Sequence, residues 1–97
     1  MKREDFIFTI GYQSDITLVD GKAKKEYGKL STEELIEKGL FRAAFCSALY
    51  EEDEEKMKTV VEGYNKRSGA LLKTIEDMKR MLGVYQVPQE GEKVKVL

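Results

Sequence analysis

The chain has 97 residues, 41% apolar and 36% charged, a length for one domain and a balance too apolar for disorder and too charged for the bilayer interior. Its 17 basic residues against 18 acidic ones leave a net charge of -1, so no global field draws it to nucleic acid or acidic lipid. With no histidine and one cysteine, the commonest general base, the usual metal-ligand sets and an internal disulfide are excluded.

Residues 5–11 alternate Phe6, Phe8 and Ile10 at period two and predict a strand. Ile16 to Asp20 predicts a second strand, joined to the first through Tyr12-Gln13-Ser14-Asp15 as an antiparallel hairpin. Asp20-Gly21 is a turn signal, and the lysine-rich stretch to Lys29 is expected to be a loop or one short helical turn. Ser31-Thr32-Glu33-Glu34 fits a capping box that starts a helix, and Gly39 is placed to end or bend it. A further helix is expected from Leu40 to about Tyr50. Asp53 then caps a helix over roughly 54–66, whose Met57, Val60, Val61 and Tyr64 form one apolar stripe and whose Glu54/Lys58 and Glu62/Lys66 are spaced as i, i+4 pairs. Ser68-Gly69 closes that helix. Thr74 caps the next, with Ile75, Met78 and Leu82 inward, and Gly83 stops it. Val84 to Val87 is a short strand candidate ended by Pro88. After Gln89 to Glu92, Lys93 to Leu97 alternates as an edge strand guarded by two lysines.

These elements define a single α+β domain over residues 1–97. A small, mainly antiparallel sheet, built from the N-terminal hairpin and C-terminal strands, holds three to four helices between them. No run reaches the roughly 18 apolar residues of a membrane span, and the N-terminus lacks the roughly 7 to 15 of a signal peptide. Together with the unpaired thiol, this makes the cytoplasm the expected compartment and the membrane an unexpected partner.

The helix 40–50 is apolar nearly all round. Phe41, Phe45 and Leu49 form a bulky face, while Ala43, Ala44, Ser47 and Ala48 form a small one. Such a helix is either sandwiched between layers of its own chain or shared with another. On the second reading Ala44, Phe45, Ala48 and Leu49 are interface residues of a two-fold homodimer, or of a complex with another protein. Arg42, Cys46 and Tyr50 follow at i, i+4 and i+8. An adjacent arginine would favour the Cys46 thiolate, against a buried thiol that acts as a small hydrophobe.

Charge is uneven: residues 1–30 sum to +1, 31–65 to -5 and 66–97 to +3. Lys22, Lys24, Lys25 and Lys29 with Tyr27 are the densest basic cluster, able to track a phosphate backbone while a base stacks, or to stand solvated on a loop. The spacing is not a Walker A loop: Ala23 stands where its first glycine belongs, and Leu30 precedes Ser31. Glu51 to Glu55 lacks the alternation and mid-loop glycine of a calcium loop. No catalytic residues, metal or cofactor are assigned. The function expected is a non-catalytic interaction module that self-associates, with a nucleic-acid or phospholigand-binding domain at the Lys22–Lys29 segment as the alternative.

Overall fold

A computed structural model gives the structure of residues 1–88 and 93–97, so the stretch Gln89 to Glu92 lies outside the described residues. The elements are α1 (Arg3–Ile7), β1 (Thr9–Gln13), β2 (Ile16–Val19), α2 (Gly21–Tyr27), α3 (Thr32–Glu37), α4 (Phe41–Tyr50), α5 (Glu54–Ser68), α6 (Ile75–Leu82) and β3 (Lys93–Val96). The class is α+β, with six helices among the described residues rather than three or four.

The sheet is mixed rather than mainly antiparallel. β2 is central, antiparallel to β1 and parallel to β3. All the helices from α2 to α6 lie between β2 and β3, and so long a crossover lets the last strand run alongside β2 in the same direction. Because β1 and β3 already flank β2, the Val84–Val87 segment finds no strand position there. It runs irregularly after Gly83 and buries Val84.

Two N-terminal expectations are corrected. The strand over 5–11 is instead α1 followed by β1. Glu4 and Asp5 suit the first turn of a helix, and adjacent Phe6 and Ile7 are both buried where α1 packs on α4. The register slips between Thr9 and Gly11, and Ile10, expected inward, is left 59% exposed. The lysine-rich stretch is the helix α2, because Asp20 serves as its N-cap and accepts from the Ala23 amide at 3.1 Å.

The later helices follow their caps. Ser31 and Glu34 complete a capping box, as do Thr74 and Asp77, while Asp53 accepts from the Lys56 amide at 3.1 Å. Gly39, Gly69 and Gly83 take the left-handed φ of +77°, +77° and +70° that turns the chain out of α3, α5 and α6. No helix among the described residues is long and apolar enough to cross a membrane.

α4 is the centre of the core. Residues 43–48 are all buried, and α1, α3 and α5 pack around them, so the chain itself covers the small face and Phe45, while Phe41 and Leu49 of the bulky face stay half-buried. Fully burying a side chain the size of Phe45 is worth roughly 1.5–3 kcal/mol. A polar seam crosses the same region. Arg3 donates to the Gly28 and Leu30 carbonyls and to Ser47 Oγ, and Ser47 lies 2.8 Å from Thr32 Oγ1. Glu51 accepts from Ser47 at 3.3 Å and from Lys56 at 2.8 Å. The two hydroxyls have almost no solvent access, so these partners satisfy groups that would otherwise cost about 1–3 kcal/mol each.

Candidate functional site

An open apolar cleft of about 800 Å³ lies where the end of α1, the start of β1, the start of α4 and the end of α6 meet. Each side has a local cause. On one side the register slip in β1 turns Ile10 outward. On another, the left-handed Gly39 sends the chain sharply from α3 into α4, so that Leu40, Phe41 and Arg42 face the cleft. Phe41 is fixed edge-on against Tyr64, with ring centroids 5.5 Å apart and planes at 82°. At Gly63, beside this pair, a Cβ would make ordinary contact with Phe41 at 3.5 Å and a tight one with Ile36 at 3.1 Å. On the last side α6 supplies Leu82 and Met81, the latter 43% exposed although apolar.

Two charged residues line the cleft, Arg42 and Asp20. The Arg42 guanidinium donates to the Thr9 carbonyl at 2.8 Å, and the Asp20 backbone amide donates to the neighbouring Phe8 carbonyl at 2.9 Å. Both are thus anchored to consecutive residues of one strand entry. Thr9 Oγ1 is spent on the Asp5 carbonyl at 2.8 Å. The cleft thus combines an apolar floor, exposed apolar side chains at Ile10 and Met81, and one charged residue of each sign.

Of the residues singled out in the sequence, Ala44, Phe45 and Ala48 have no exposed surface, and only Leu49 of that set retains any. Leu49 borders a second cavity of about 450 Å³ with Tyr50, Met57 and Tyr85. The four lysines separate. Lys22 and Lys25 are exposed on α2 at i, i+3 and Lys29 is exposed in the turn after it, whereas Lys24 turns away to stand 2.7 Å from Oδ1 of buried Asp5. Cys46 does not line up with its neighbours, since Arg42 goes to Thr9 and the Tyr50 hydroxyl donates to the Met1 carbonyl at 3.0 Å. Burial pushes its thiol up to about 11 against the opposing pull of the Arg42 charge, so the group is an inert part of the core.

The cleft itself was missed by sequence reasoning. One signal was available: Met81 is a large apolar residue outside the Ile75, Met78, Leu82 stripe of its own helix. No protein-family model matches the chain, and neither a curated protein nor a solved structure matches it.

Proposed function

We propose that the protein is a cytoplasmic, non-catalytic interaction module that works by self-association, through the cleft between β1, α4 and α6 rather than through the face of α4. The observation that carries this reading is the coincidence of a cleft of about 800 Å³ with two exposed apolar side chains on its lips, Ile10 and Met81. Apolar surface gathered around a concavity and bordered by charges is the pattern of a protein-binding patch. The test is the mass of the native protein by light scattering across a dilution series, with Met81→Glu as the control. Association that weakens on dilution is expected. A carboxylate at a buried apolar contact should cost about 2 kcal/mol or more, raising the dissociation constant at least about thirtyfold. Because Met81 is already exposed, circular dichroism should be unchanged. A wild-type protein that stays monomeric at high micromolar concentration refutes the reading.

The exposure of Lys22, Lys25 and Lys29 supports a second reading, the binding of a polyanion such as a nucleic acid. Affinity for single-stranded oligonucleotide should then fall steeply from low to physiological salt and vanish in Lys22→Glu/Lys25→Glu. Binding that ignores both changes would end it.

A further inference from the structure

We infer that the occupant of the cleft is a second copy of this chain, docked about a two-fold axis so that Arg42 of each copy meets Asp20 of the other. The inference rests on the cleft being the interaction surface, and it names the geometry by which that surface is used. The lining carries one base and one acid, so the patch has no net charge to attract a partner of either sign. A two-fold operation places the base of one copy on the acid of the other and returns the same pair on the opposite side of the axis. A patch with this pairing complements itself, whereas an unrelated protein would have to supply both charges in mirrored positions.

Both groups are also set in advance. Arg42 is steered by its bond to the Thr9 carbonyl, with guanidinium donors beyond that bond, and Asp20 is held by the Ala23 amide. Little side-chain order would remain to be lost on docking. The register slip at Ile10 and the guanidinium on the Thr9 carbonyl interrupt the start of the β1 edge, so the copies would meet through side chains rather than by adding strand to strand.

Sedimentation equilibrium of charge-reversed chains, alone and mixed, tests the pairing. Arg42→Glu sets a carboxylate against the Asp20 of its own copy's partner, and Asp20→Lys sets an ammonium against Arg42. Each alone should dimerise at least about tenfold more weakly than wild type. An equimolar mixture should recover to within about threefold, because the heterodimer pairs opposite charges at both ends. If wild type dimerises and Met81→Glu does not, yet the mixture fails to recover, the two-fold pairing is overturned while the cleft reading stands. If wild type is monomeric throughout, both are overturned. Should Asp20→Lys lose its fold by circular dichroism, Asp20→Asn keeps a capping oxygen. Raising salt from about 50 to 500 mM should then weaken wild type at least about fivefold and leave that variant unaffected. An equal salt dependence in the two overturns the pairing.

Discussion

Asp5 is 7% exposed, and its Oδ1 makes no aligned hydrogen bond. Its charge is offset by the Lys24 ammonium 2.7 Å away. The lysine side chain keeps 31% of its surface, so water screens the pair in part. Lys24→Met should therefore destabilise the fold by about 2 kcal/mol, below the 3–5 typical when a fully buried pair loses one partner. Asp5→Asn in the same background should recover most of that loss in urea titrations. A cost near zero would show the pair to be idle and would return Lys24 to the basic face of α2. The same logic separates the four lysines functionally: proximity in sequence groups them, but one is committed to α1 and three face solvent.

At the level of elements, the start of α2 abuts the chain just beyond β3. The Gly21 amide donates to the Leu97 carbonyl at 3.2 Å, and a Cβ at Gly21 would overlap that carbonyl and press on Val96. Gly21→Ala raises helix propensity yet should cost about 1–3 kcal/mol through this overlap. Faster amide exchange in Val94 and Val96, with α5 unaffected, would locate the damage; unchanged exchange there would contradict the account. What could be read from the sequence divides along the same line. Ser31, Asp53, Thr74, Gly39, Gly69 and Gly83 are legible because a cap or a stop acts within about four residues. Phe6, Phe8 and Ile10 mislead because three alternating residues also fit a short helix running into a strand, and contact with α4 decides between them. The direction of β3 depends on β2, far away in the chain, and no local signal encodes it. The cleft is illegible for that reason too: its walls come from α1, β1, α4, α5 and α6, and only the assembled fold brings them together.

For the whole molecule, three carboxylates tie stability to acid. The Ser31 amide holds Glu34 below its ordinary range, the Lys73 and Thr74 amides do the same for Asp77, and Lys56 does so for Glu51. A carboxylate with a depressed folded value binds its proton more readily in the unfolded chain. Its stabilisation is present above the ordinary range and is lost as pH falls through the folded value. Unfolding free energy should thus decline as pH drops from about 5 to about 3, measured by urea titration at each pH. Glu51→Gln should flatten the decline, and an equally steep decline in that variant would remove Glu51 from the account.

The burial of Cys46 has a practical consequence of another kind. The chain contains no tryptophan, so it lacks the usual optical reporter of its own unfolding. In its place it carries one thiol, 1% exposed, at the middle of the helix on which α1, α3 and α5 pack. A thiol reagent can reach that sulfur only in molecules whose core has opened. The labelling rate is therefore a count of such openings, taken on unmodified protein at native pH and without denaturant.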